Sequence, residues 1–153
     1  MVLEIEEIGS PILREKCVPL TINELKCGGF FALISDMLET MEAEGGIGLA
    51  ANQVGVNKRI IAIRLPGDIK LAMVNPIILS LKKWGYSVEG CLSVPGKQYK
   101  LERAGEIKIR FTDLQGKERE IVVDDEIIAC VIQHEVDHLD GILICDIGEL
   151  VSE

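Results

Sequence analysis

The run Ile107-Lys108-Ile109-Arg110-Phe111-Thr112 alternates apolar and polar side chains, and Asp113-Leu114-Gln115-Gly116 follows it. A period of two is the pattern of a strand with one buried face. Asp and Gly favour a reversal, so residues 117–123 are expected to return antiparallel. Asp124 or Asp125 then stands where a helix N-cap belongs. Residues 126–139 read as that helix, with Ile127, Ile128, Val131 and Ile132 expected on its buried side and Gly141 ending it. A hairpin that runs straight into a helix is not the regular alternation of a wound parallel sheet. The pattern predicts an α+β fold of mostly antiparallel sheets packed around this last helix.

Upstream, Phe30, Leu33, Ile34, Met37, Leu38 and Met41 repeat at the spacing of one helical face. They predict an N-terminal helix between Asn23 and Glu42 that stops before Gly45-Gly46. Pro11, after Gly9-Ser10, opens a short helical turn. Residues 59–65 read as a strand. Residues 72–74 read as another, broken by Asn75-Pro76 and resumed over residues 77–81. Residues 46–57 carry no charge and include three glycines, which is unlike an ordinary surface loop. No repeat, low-complexity tract or Pro/Gly/Ser linker divides the chain, so residues 1–153 are expected to form a single domain.

The net charge of −9 argues against a general phosphate-backbone binder, and no DNA partner is expected. The apolar runs are far shorter than the ~18 residues a membrane span needs. The opening Met1-Val2-Leu3-Glu4-Ile5-Glu6-Glu7 is acidic where a signal or transit peptide is basic. A cytoplasmic location is expected. There are five cysteines, at wide spacings and without a C-x-x-C pair, so no disulfide framework is expected. Cys17, Cys27, Cys130 and Cys145 read as small buried hydrophobes.

The chemistry sits on the last helix. The only two histidines, His134 and His138, are four residues apart with Glu135 after the first. Residues at i and i+4 share a helical face, so both imidazoles can bind one metal ion. Glu135 is then placed to reach a bound water as general base, the H-E-x-x-H arrangement. A chance match in a chain of this length has a probability on the order of 1%. A catalytic site of this kind takes three protein ligands and leaves one position open. No histidine follows His138. A cysteine is therefore a strong candidate for the third ligand, because a thiol beside a divalent metal loses its proton. Cys91, between Gly90 and the Pro95-Gly96 turn, is expected on an exposed, turned segment. Cys130, one turn before His134, competes with it, and spacing favours Cys91 only modestly.

Three segments together resemble the peptide deformylase family. They are Gly46-Ile47-Gly48-Leu49-Ala50-Ala51-Asn52-Gln53, Glu89-Gly90-Cys91-Leu92-Ser93 and Gln133-His134-Glu135-Val136-Asp137-His138-Leu139. The resemblance covers nearly the whole chain. It implies a hydrolase that removes the formyl group from the N-terminal formyl-methionine of newly made proteins, releasing formate. It also implies Cys91, His134 and His138 as ligands of one divalent metal ion per chain, iron(II) in the family, with zinc, nickel or cobalt able to substitute. Glu135 becomes the proton carrier, and the Gln53 amide and the Leu92 backbone N–H face the growing charge on the formyl oxygen. The expected substrate contacts are Ile47, Gly48, Glu89, Gly90, Ile127, Cys130 and Val131. Partners implied are formyl-methionyl ends of nascent chains and a transient ribosome contact. Some family members dock through a longer basic C-terminal helix, whereas this chain carries Asp146, Glu149 and Glu153 there. The alternative is an H-E-x-x-H metallopeptidase that cuts internal bonds, and a purely structural metal site is a further rival.

Overall fold

The computed structural model describes residues 1–153. Its strands are β1 (Gly48–Ala50), β2 (Ile60–Leu65), β3 (Ile69–Cys91), β4 (Val94–Thr112), β5 (Glu118–Val123) and β6 (Glu149–Ser152). The α-helices are α1 (Ile22–Lys26), α2 (Phe31–Ala43), α3 (Glu126–Leu139) and α4 (Ile144–Ile147). The strands form one continuous sheet in the order β1-β2-β3-β4-β5, with β6 added to β4. Every pairing is antiparallel. The fold is α+β, built on one sheet.

The hairpin that decided the class is present. Ile109 lies opposite Ile121, and the Asp113 carboxylate accepts the backbone N–H groups of Gln115 and Lys117 at 3.0 and 2.9 Å. Helix α3 starts at Asp125, whose side chain accepts the Ile128 N–H at 3.1 Å. Such a cap contributes ~1 kcal/mol.

The centre of the sheet is buried on both faces. Along β2, Ile61 and Ile63 join Met73, Ile107 and Ile109 beneath Ala129, Ile132, Val136 and Leu139 of α3. Their neighbours Ile60 and Ala62 turn to the other face and meet Ile34, Met37 and Met41 of α2. Each of these large aliphatic side chains gains roughly 1.5–3 kcal/mol on burial. Helix α3 is thereby clamped to the sheet along the stripe 129, 132, 136 and 139.

Four local expectations are corrected. The N-terminal helix is two helices. Gly28 takes a φ of 70°, a left-handed conformation, and the chain re-enters helix only at Phe31. Strand β3 does not break at Asn75-Pro76. The sheet absorbs the proline as a register shift between Val74 and Ile77, while the Asn75 amide exchanges two 2.9 Å hydrogen bonds with the Leu20 backbone. Ile127 is not on the buried side of α3. It is off the 129/132/136 stripe and 70% exposed. Among the cysteines only Cys17 is fully buried, with burial pushing its thiol pKa up to about 11. Cys27 is exposed, and Cys130 and Cys145 are half-buried. No helix is long and apolar enough to cross a membrane.

Candidate metal centre

His134 and His138 stack along one face of α3, with ring centroids 5.0 Å apart. Cys91 is the last residue of β3, before the tight Leu92-Ser93 turn into β4. Its Sγ lies 3.2 Å from His138 Nε2. One ligand atom from each of Cys91, His134 and His138 falls within 4.8 Å of the others. Cys130 stands outside this group. Soft thiolate plus two imidazoles suits a first-row divalent ion and leaves a fourth position open.

The His134 ring is held from behind, whereas His138 Nδ1 is buried with no hydrogen-bond partner in the protein. His134 Nδ1 meets Glu89 Oε1 at 2.8 Å, which fixes Nδ1 as the donor and leaves Nε2 free for an ion. Arg103 grips the same carboxylate with Nε and Nη2, both at 3.0 Å, and reaches Asp137 with Nη1 at 2.6 Å. Burial alone would push the Glu89 pKa up. The hydrogen bonds and charges of His134 and Arg103 outweigh it and hold the pKa down at about 2. Burial likewise drives His138 well below the usual imidazole range, helped by the charge of His134. Asn52 donates from Nδ2 to the His138 carbonyl at 2.6 Å and ties the end of the motif to the loop after β1.

Glu135 is 4% exposed, and its Oε1 has no hydrogen-bond partner in the protein. Burial pushes its pKa up to about 7. A carboxyl that titrates near neutrality is poised to take and return a proton. Gln53 is oriented by its own loop. Its Oε1 accepts the Ala50 N–H at 2.9 Å, which aims Nε2 toward Ser93 Oγ at 3.1 Å and Cys91 Sγ at 3.7 Å.

Cys91, His134, Glu135 and Gln53 open into a cavity of about 1210 Å³. The residues expected to touch substrate, Ile47, Gly48, Glu89, Gly90, Ile127, Cys130 and Val131, all line it, as do Gln53, Leu92 and Glu135. Gly48 is required by close approach, since a Cβ there would lie 2.5 Å from Glu135 Oε2. Sequence reasoning missed three supports. Gln133 fastens α3 to β4, accepting the Ala104 N–H at 3.0 Å and donating to the Ala104 carbonyl at 2.7 Å. Asp137 and Arg103 complete the network behind His134. Gln133 and Asp137 lie inside the histidine motif and were open to discovery there. Arg103 carries no local signal.

The chain matches the family model for polypeptide deformylase over residues 2–150. It is 39% identical to the peptide deformylase of Desulfitobacterium hafniense, covering 99% of this chain and 97% of that one. With the peptide deformylase of Dictyoglomus turgidum it shares 42% identity over 95% of this chain and 92% of that one. Its fold superposes on the class I type b peptide deformylase of Acinetobacter baumannii with a TM-score of 0.91 at 37% identity, covering 95% and 99% of the two chains. A Met-Ala-Ser-bound structure of that protein gives a TM-score of 0.89, with the same identity and coverage. The Thermotoga maritima enzyme gives 0.88 at 35% identity over 96% and 97%. On these matches, and with a Cys–His–His cluster beside a buried glutamate, the chain belongs to the polypeptide deformylase family.

Proposed function

We propose that the chain hydrolyses the formamide bond of N-terminal formyl-methionyl peptides at a centre where Cys91, His134 and His138 hold one divalent metal ion. When bound, such an ion lowers the pKa of water and polarises a carbonyl oxygen. The chain's own residues supply the rest. Glu135 accepts the proton of the attacking water and later delivers it to the leaving amine. Water adds at the formyl carbon, the C–N bond breaks, and formate and a free methionyl amine result. Gln53 Nε2 donates toward the formyl oxygen as negative charge grows there, with the Leu92 backbone N–H as second donor. Removing one such donor typically costs ~10²–10³ in rate. Ile47, Gly48, Gly90, Ile127, Cys130 and Val131 receive the methionine and the chain behind it, and Glu89 works from behind by holding His134.

The observation that carries this reading is Glu135, buried, unpartnered at Oε1 and lining the same cleft as Cys91 and His134 of the Cys–His–His cluster. The resident ion proposed is iron(II), as the family resemblance implies. New chains are the substrate, so the cytoplasm is the proposed compartment, with any ribosome contact transient. The internal-bond peptidase is not favoured, since the matching relatives named above are deformylases.

The test is an anaerobic assay of formate release from formyl-Met-Ala-Ser, with elemental analysis of the same sample. Stoichiometric formate and about one metal ion per chain are expected. Cleavage of an N-blocked internal peptide with no formate from the formyl peptide would replace this reading with the peptidase one.

A further inference from the structure

The two donors proposed for the formyl oxygen stand on separate segments. Gln53 lies in the helical turn Ala51–Val54 after β1, and Leu92 in the tight turn between β3 and β4. One side-chain bond joins the segments, from Gln53 Nε2 to Ser93 Oγ at 3.1 Å. The N-terminal arm joins them again through its backbone. The Glu6 N–H donates to the Gln53 carbonyl at 2.7 Å, and two residues on the Ile8 N–H donates to the Ser93 carbonyl at 2.8 Å. Gln53 and Ser93 are both buried, and a buried carbonyl left without a partner costs free energy. The arm is itself fastened at both ends. The Leu3 N–H donates to Thr40 Oγ1 of α2 at 2.8 Å, and beyond Ile8 the short helical turn Pro11–Arg14 buries Leu13 completely. Between these anchors Leu3, Ile5 and Glu7 form part of the cleft wall.

From this geometry we infer that residues 3–8 are a positioning strap for the reaction, with the Glu6 and Ile8 N–H groups holding the Gln53 amide and the Leu92 N–H at a fixed spacing around the formyl oxygen. This rests on the deformylase reading, which assigns those two donors to the growing charge. The arm touches neither the reacting atoms nor the metal ligands; it acts through the backbone of Gln53 and of Ser93, the neighbour of Leu92. Misplacing a group at the reacting centre by about 1 Å costs ~10²-fold in rate. The donors work on charge that exists only in the transition state, so slack in the strap lowers kcat and leaves KM in place.

Ile8 offers a test that removes one bond and little else. Glu7 to Ser10 form a turn closed by the Ser10 N–H on the Glu7 carbonyl at 3.0 Å, with Gly9 at a φ of 103°. That is the type II pattern, whose second residue, here Ile8, accepts proline. The Ile8 side chain is exposed and does not line the cleft. Ile8→Pro therefore deletes the N–H, and Ile8→Ala is its reference, because it sheds apolar atoms and keeps the N–H. Both full chains are loaded with Ni(II) and assayed on formyl-Met-Ala-Ser. The proline chain is expected to show a kcat about 10-fold below the alanine chain, with KM within about twofold and the same nickel content. In a Gln53→Ala background the loss from Ile8→Pro is expected to shrink to about threefold, because residues that act through one another are not additive. Equal kcat in the two Ile8 variants overturns the strap. So does a loss confined to KM, which would make the arm a substrate wall only, or a fall in nickel content, which would place the effect at the metal. A 10-fold loss that persists without Gln53 overturns it as well. Each of these leaves the deformylase reading standing as long as the unaltered chain releases formate, and no formate from that chain overturns both. Should the proline chain fail to fold, amide exchange on the unaltered Ni(II) chain decides. Glu6 and Ile8 N–H groups protected alongside the Ala50 N–H that holds Gln53 Oε1 support the strap, and open-chain exchange at either one overturns it.

Discussion

Replacing Gly48 by alanine adds a methyl group to the inner end of the cleft. Its Cβ would lie 2.5 Å from Glu135 Oε2, 2.8 Å from Val131 Cγ1 and 2.9 Å from Glu135 Cγ. Comfortable heavy-atom contacts are ~3.5 Å, so something must move by roughly 1 Å. Gly48 is held in β1 by pairing with Ile63, and Val131 belongs to the clamped helix. The carboxylate of Glu135 is the one flexible end among the three neighbours, and it is the part expected to shift. A displacement of about 1 Å in a reacting group costs ~10²-fold in rate. Gly48→Ala is therefore expected to lower kcat about 100-fold while metal content stays at the original stoichiometry, because neither histidine nor Cys91 is among the atoms the methyl meets. Overpacking adds a stability cost of ~1–3 kcal/mol, visible as a lower Tm in the same preparation. Formate release, elemental analysis and thermal unfolding on one sample separate the three effects. Turnover within about threefold of the original at full metal content would refute the idea that Gly48 keeps the carboxylate in place. Loss of metal would show that the disturbance spreads beyond Glu135.

Glu135→Gln should keep the metal and lose ~10²–10⁴ in kcat, since the proton carrier goes and every ligand stays; equal turnover would contradict its role. Cys91→Ser should weaken metal retention or change metal preference, read from the Co(II) absorption spectrum, and an unchanged spectrum would point to another cysteine. Glu89→Gln tests the support behind His134 through pH. The pKa of Glu89 falls from its ordinary 4.5 to about 2 in the folded chain, so it stabilises the fold fully above pH ~4.5 and loses that contribution as pH drops toward 2. The shift corresponds to about 3 kcal/mol. Urea unfolding should show the variant less stable by that order at pH 7 and the gap shrinking at pH 3. A gap that is the same at both pH values would place the cost in packing rather than in charge.

Much of the site was legible because its chemistry is local. An i, i+4 pair of histidines with a glutamate between them needs only a helix to share a face, and the helix was marked by an Asp cap and a closing glycine. The fold class was legible for the same reason, from a strand of period two, a turn and a capped helix in succession. What escaped depends on partners distant in sequence. Residues 84–91 and 94–104 form the long β3–β4 hairpin; Trp84, Tyr86 and Val88 do alternate at a strand's period of two, a signal the sequence reading passed over, but they face solvent rather than the core. The break read at Asn75-Pro76 was sound as local chemistry, and the Leu20 backbone overrides it by satisfying the Asn75 side chain.

Arg103 shows the limit most clearly. Nothing beside it in the sequence marks it as special, and an arginine among Glu102, Ala104 and Lys100 reads as a solvated strand residue. Antiparallel register places it opposite Gly85, one of the few residues with no side chain to block a guanidinium. From there it reaches Glu89 on the neighbouring strand and Asp137 on α3 at once. That is why Glu89, expected from its motif to touch substrate, also orients a metal-binding ring. The carboxylate faces the cleft and His134 together, and the buried arginine keeps it ionised so that it can accept the Nδ1 proton. The motif encodes the ligands, and the register of two long strands decides whether those ligands are held still.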